Sequence, residues 1–296
     1  MEEYLGISFT NRSLSLTRVH ESEEHPKLIS THEILYPFPF EFNALLNEEN
    51  FNLLVEKLTQ YVQNNNLQGM LCNVSLPMYL AQIKRAPLPY DADSRVLQKH
   101  LVWEMENIGT RPLEDTKVVK LDHEFRFGSY EESVFALTPK SIIQKIKELI
   151  EKSGLKIRRL LLDCDTILKL LKKFNFLNPA KNQLVFQIDV FSVTLFHYMD
   201  GAFYSYDLFT FAEKEKEKNF EQKVIRLLEE QVEKFTNLVN MLPGYEYPLD
   251  VYVSRLITES LSRKMKDLDF QVHEIRMDKL LGEKLPVTIE SYAVML

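Results

Sequence analysis

Glycine is scarce in this chain. Eight of 296 residues are glycine, under half of the roughly 7% usual in proteins. Loops that cradle phosphate need glycine, because backbone N–H groups must come close to the ligand. Few loops of that kind are on offer. Cysteine is scarcer still: Cys72 and Cys164 make no disulfide framework and point to a reducing compartment. No run of about 18 apolar residues occurs, so no membrane-spanning helix is expected. The opening MEEYLGISF has neither a basic nor an apolar leader segment, and no secretory signal is expected. Basic residues are outnumbered, 36 against 43 acidic, for a net charge of -7. That disfavours nucleic acid as a partner. HxxxH, CxxC, GxSxG and GxxxxGK[ST] are all missing, and the histidines are scattered. No metal centre, nucleophile elbow or P-loop is therefore expected.

What is present is enough for a core. The chain is 45% hydrophobic and 27% charged, and its length suits two lobes. Tyr4–Phe9, Ser13–Val19 and Leu28–Tyr36 read as a strand meander ended by Pro37 and Pro39. Asn47–Asn64 has helical spacing, with Phe51, Leu54, Val55, Leu58, Tyr61 and Val62 on one face. Gly69–Leu76 is an apolar strand. Tyr79–Ala86 reads as a strand stopped by the prolines at 87 and 89, and Asp91 or Asp93 is positioned to cap a helix to about Ile108. Strands follow at Thr116–Leu121 and Ser133–Leu137. Pro139 suits a first helical residue, and Gly154 suits a helix stop. Ile157–Leu162 is a buried strand, followed by a helix to Phe174. Gln183–Val190, Val193–Met199 and Ala202–Leu208 are strands, with Asp200-Gly201 as a hairpin turn. EKEKEK at 213–218 is expected to open a long helix. Leu249–Val253, a helix from Thr258 to Lys266 and Phe270–Ile275 close the order. Two similar β-β-β-α-β-α halves result, the first interrupted by an α+β block.

Most chemistry-bearing residues have a plain reading. Cys72 and Cys164 sit in or beside strands and are expected to be inert core thiols. His100, beside Trp103, reads as a partly exposed histidine. The single tryptophan is read first as the core of its own block and second as an anchor for a partner.

Residues 74–168 resemble the cytoplasmic PilM family of type IV pilus assembly. The resemblance lies in VSLP at 74–77, KRAPLP at 84–89, LVWEMENIGTRPLED at 101–115 and VFALTPKSIIQKIKELIEKSGLKIRRLLLD at 134–163. Trp103, Glu104 and Glu106 match the helix end, Pro112, Leu113 and Glu114 the next segment, and Gly154-Leu155 the "GL". The resemblance implies an α/β fold of the actin-like ATPase (ribonuclease H-like) class, related to FtsA and the GspL cytoplasmic domain. It implies two duplicated β-β-β-α-β-α lobes with an inserted 1C-like subdomain: a first lobe at 1–76 and 155–180, the insertion at 77–154, and a second lobe at 181–296.

It also implies where nucleotide loops belong, and those positions have diverged. In the first loop, Gly6-Ile7 is kept, but Ser8 stands at the aspartate and Thr10 at the glycine. In the second, Gln187 stands at the aspartate and Asp189 at the glycine, and Thr194 comes one place late. The adenosine Gly-Gly is replaced by Ser254-Arg255 or Arg255-Leu256, and the closing helix shrinks to Tyr292–Leu296. The aspartates would position a metal and its water, and the glycines would admit phosphate. The expectation is a pseudo-ATPase with no cofactor. It would be a cytoplasmic scaffold, peripheral at the inner membrane, holding the short N-terminal peptide of a single-span, PilN-like protein. Trp103, Val74 and Leu76 are the expected contact residues, and a homodimer is an option. The alternative is an active ATPase that binds ATP and Mg through diverged loops, with Asp163 or Asp189 holding the metal. A polymer former of the FtsA kind would carry a basic amphipathic tail, which VTIESYAVML does not resemble.

Overall fold

The computed structural model describes residues 2–22, 26–89, 93–108, 112–127, 130–190, 192–211, 219–240, 248–282 and 288–296. Two compact units emerge, residues 1–166 with 290–296, and residues 167–289.

The first unit opens with β1 (Glu3–Phe9), β2 (Ser13–His20) and β3 (Lys27–Leu35). A short α1 (Phe42–Leu46) leads to α2 (Glu48–Asn64), whose start is capped by Asn47 Oδ1 accepting from Asn50 N at 3.1 Å. Phe51, Leu54, Leu58, Tyr61 and Val62 are its buried stripe, as their spacing requires. β4 (Leu71–Leu76) returns parallel to β1. Next comes an inserted sheet, β5 (Gln82–Pro89), then α3 (Ser94–Ile108), β6 (Thr116–Phe127) and β7 (Tyr130–Pro139). Its order is β5-β7-β6. α4 (Lys140–Lys152) and β8 (Lys156–Leu162) follow, and β8 pairs parallel with β4. The main sheet of the unit runs β3-β2-β1-β4-β8.

α5 (Asp163–Lys173) leads towards the second sheet. That sheet takes β9 (Asn182–Ile188), β10 (Ser192–Met199), β11 (Ala202–Thr210), β12 (Leu249–Arg255) and β13 (Val272–Ile275), with α6 (Phe220–Asn240), α7 (Glu259–Met265) and α8 (Met277–Leu281) among them. Its order, β11-β10-β9-β12-β13, repeats the first. In each sheet a three-strand antiparallel meander is extended by two parallel strands. α9 (Ile289–Ala293) ends the chain. Leu184, Phe186, Val193, Leu195, Val224, Leu228, Val251 and Val253 form the core of the second sheet, each strand residue facing α6 or α7 across the alternation.

Several local features follow from residue chemistry. Asp200 and Gly201 both have positive φ, 52° and 74°, the geometry of a type I′ hairpin. Gly154 (φ 86°) ends α4: Leu155 N donates to Ile150 O at 3.1 Å and Gly154 N to Glu151 O at 3.0 Å. Asp93 meets the start of α3, its Oδ1 accepting from Arg95 N at 2.9 Å. Asp91 lies outside the described residues, as does EKEKEK at 213–218, and the long helix starts at Phe220.

Other readings are corrected. Pro87 and Pro89 do not stop β5 but belong to it, opposite Glu132 and Tyr130. β5 is an edge strand, and prolines two apart both turn their missing donors away from β7. Pro139 is the residue before α4 rather than its first turn. α4, included in the expected insertion, packs against α1, α2 and β8 and also against β7 of the inserted sheet.

The end of the chain also lies elsewhere than expected, since residues 290–296 belong to the first unit. Thr17 Oγ1 and Ser291 Oγ lie 2.6 Å apart, Asn73 Nδ2 donates to Val294 O at 3.1 Å, and Tyr292 OH donates to Pro26 O at 3.0 Å. Burial pushes the Tyr292 phenol up to about 12. Gly6 makes this docking fit. A Cβ there would stand 1.8 Å from the carbonyl oxygen of Ser291.

Two predictions follow from this packing. Gly6→Ala is expected to lower stability by about 1–3 kcal/mol in urea unfolding, the usual cost of overpacking. In the second unit, Glu221 accepts from Lys264 Nζ and Ser260 Oγ, both at 2.6 Å, and from Thr258 Oγ1 at 2.7 Å. The Lys264 contact first, then the two hydroxyls, hold the Glu221 carboxyl down at about 2. Its folded pKa lies below the unfolded value, so its contribution is present above that value and fades as pH falls from about 4.5 to about 2. Unfolding midpoints of Glu221→Gln against the parent, measured across that window, are expected to converge as pH falls.

Candidate functional site: two strand turns

The turn from β1 to β2, residues 10–13, closes on itself. Thr10 N donates to Ser13 O at 2.8 Å. Thr10 Oγ1 accepts from Ser13 N at 3.0 Å and Arg12 N at 3.3 Å, and lies 2.9 Å from Ser13 Oγ. A threonine after a strand favours such local capture of backbone donors. Three of the four turn amides therefore already have acceptors. Ser8 and Thr10 are both buried.

The segment after β3 seals the other side. Tyr36 N donates to Arg12 O at 3.1 Å and Phe40 N to Asn11 O at 2.8 Å. The Tyr36 hydroxyl lies 2.6 Å from Thr10 O and 2.8 Å from Ser13 O and is shared between them. Arg12 Nη1 donates to Pro37 O. Tyr36, Phe38 and Phe40 are buried, and Phe40 stacks on Phe9 with centroids 4.3 Å apart. The sequence signal is YPFPF at 36–40: three aromatics at i, i+2 and i+4 on one side, with the prolines between them turned outward. Taken only as a strand stop, that motif does not disclose the clamp.

The turn from β9 to β10 solves the same problem with charge. Asp189 N donates to Ser192 O at 2.8 Å, and Asp189 Oδ1 accepts from Val190 N at 2.7 Å. Asp189 Oδ2 lies 3.8 Å from Arg255 Nη1, with the two side chains 17% and 14% exposed. Arg255 ends β12 at φ 75°, a left-handed conformation that favours glycine. Leu256 N donates to Ile188 O at 3.2 Å and Ile257 N to Arg255 O at 2.8 Å. Gln187 is buried in β9 between Thr194 and Ser254. The carboxylate at the second loop position thus faces a guanidinium at the adenosine position. Sequence reasoning found Asp189 and the lost glycines there, but not their pairing.

The remaining expected residues scatter. Val74 and Leu76 are buried in β4 between β1 and β8, so they pack the sheet and offer no side chain to a peptide. Trp103 is 57% exposed on α3, against the reading that makes it the core of its block, and stacks on His100 at 5.9 Å. Asp163 is buried at the start of α5. Among the described residues, no three His, Cys, Asp or Glu side chains gather as a metal site would require. Burial pushes the Cys72 thiol up to about 12 and Cys164 well above its usual value, which keeps both as unreactive thiols.

Comparison of the whole chain with solved structures decides the fold. It superposes on a chain of the PilM–PilN type IV pilus biogenesis complex with a TM-score of 0.67 and 14% identity, over 98% of this chain and 97% of that one. It has the fold of PilM. That fold is the actin-like ATPase fold anticipated above. The cytoplasmic domain of EpsL, an inner membrane component of the type II secretion system of Vibrio cholerae, superposes with a TM-score of 0.52 and 12% identity, over 99% of this chain and 94% of that one. No family model matches the sequence, and no curated protein matches it. At these identities the likeness is one of fold.

Tyr36→Phe removes a hydroxyl donor that lies within hydrogen-bond reach of two buried carbonyls. It is expected to cost about 1–3 kcal/mol in urea unfolding.

Proposed function

We propose that this chain is a non-catalytic, actin-like scaffold of a type IV pilus or related secretion machine. In this reading it works at the cytoplasmic face of a membrane and holds a short peptide of a PilN-like inner-membrane protein. One observation carries the non-catalytic part. Where an actin-like ATPase would offer bare amides to phosphate, this chain has bound its own donors, through Thr10 in one turn and Asp189 in the other. A nucleotide would have to displace these bonds to reach those amides. Asp189 would also bring a negative charge towards phosphate, and its nearest cation, Arg255, is already engaged.

The likeness to a chain of the PilM–PilN complex supports the placement in a pilus or secretion machine, and with it the choice of partner. No helix among the described residues is long and apolar enough to cross a membrane, which is compatible with tethering through a partner. A chain of net charge -7 favours a peptide that is not strongly acidic. Fold alone does not dictate function, so the site carries the argument.

Thermal unfolding with millimolar Mg-ATP tests the reading. A ligand at 100 times its dissociation constant stabilises by about 2.7 kcal/mol, a shift of several degrees at most in a chain of this size. No Mg-dependent shift is expected. A shift that requires both Mg and ATP would return the turns to nucleotide binding. The same assay with N-terminal peptides of single-span partners is expected to give stabilisation.

A further inference from the structure

Exposed large apolar side chains are few among the described residues, and three of them sit on α3: Val96 at 56%, Val102 at 47% and Trp103 at 57%. Val96, Lys99, Trp103 and Glu106 recur at spacings of three, four and three, the seam along which one helix packs on another. The charges beside this seam are sorted along the axis. Arg95 and Lys99 lie in its first half and Glu106 near its end, all three exposed. None of these three side chains makes an ion pair or hydrogen bond among the described residues. The face thus carries cations toward one end, an acid toward the other, and the apolar Val96, Val102 and Trp103 among them.

We propose that α3 is a self-association face, on which a second copy of this chain packs its own α3 antiparallel across a two-fold axis. Such an arrangement is self-complementary, as a closed two-fold interface must be. With the axis near residue 101, Lys99 of each copy comes over Trp103 of the other, a cation on an indole face. Arg95 and Val96 come beside Glu106 of the second copy. A parallel arrangement would instead set Glu106 on Glu106 and Lys99 on Lys99. A helix of 15 residues is about 22 Å long, so the contact is at the small end of specific interfaces and the dimer is weak. The proposal rests on the α3 surface alone and needs neither nucleotide nor peptide.

The test is the oligomeric state of the full chain without any partner, by sedimentation over a concentration series. Trp103 is the only tryptophan, so its emission reads the contact directly. The expected result is a mass rising towards twice the monomer, with Trp103 emission moving to shorter wavelength over the same range. Trp103→Glu is expected to stay monomeric. So is the double variant Arg95→Glu with Lys99→Glu, and so is Glu106→Lys. An equimolar mixture of the two charge variants is expected to recover the dimer, because each then meets its opposite. The proposal is overturned by a monomeric parent at every concentration, by a Trp103→Glu variant that still dimerises, or by a mixture that stays monomeric. A parent that stays monomeric while a partner peptide shifts Trp103 emission would assign α3 to the peptide and also overturn it.

Discussion

A backbone amide taken out of water must have an acceptor, and this constraint governs both turns at the expected phosphate positions. An unmet buried N–H costs on the order of 1–3 kcal/mol, and a turn between paired strands has few acceptors of its own. In a phosphate-binding loop the ligand supplies them. Here the chain does. Thr10 Oγ1 takes two amides and Asp189 Oδ1 takes one, while Ser13 and Ser192 accept from the residues that open each turn. Once these bonds are in place, neither glycine nor an anion is required. The shortage of glycine across the chain and the chemistry of the two turns are therefore the same fact seen at two scales.

The two halves share strand order and sense but not their solutions. In the first, closure is apolar and hydrogen-bonded: an aromatic segment comes back over the turn, and Phe40 stacks on Phe9. In the second, closure is electrostatic, with Arg255 held at a backbone angle that suits glycine. A non-glycine residue there costs on the order of 1–2 kcal/mol, which the surroundings must offset. The guanidinium it brings gives the half-buried Asp189 carboxylate a counter-charge, which otherwise would be strongly unfavourable. Strain and ion pair belong together. Replacing Arg255 by glycine would relieve the first and lose the second.

The strand and helix order was legible because it rests on short-range physics. Alternation disclosed the meanders, 3.6-residue spacing disclosed α2, and Asp200-Gly201 disclosed a hairpin whose two residues both have positive φ. What escaped was long-range. Pro87 and Pro89 look like terminators until β5 is known to lie at an edge, where a missing donor has no partner to lose. Gly6 looks like a remnant of a phosphate motif, yet its lack of a side chain serves the carbonyl of Ser291, 285 positions away in sequence. The tryptophan on α3 is exposed because helix spacing says which residues share a face, not which face meets a sheet.

Gly6 also shows how the fold alone can hold a residue in place. In a phosphate motif, glycine at the first strand lets backbone approach the ligand. Here the same smoothness lets the last residues of the chain lie on β1, where Thr17, Asn73 and Pro26 bond to the terminal segment. Residues at the docked terminus are therefore under packing constraint, while Ser8, Thr10, Gln187 and Asp189 need only satisfy their own backbone and neighbours. The first group is held by the fold, and the second by its own hydrogen bonds.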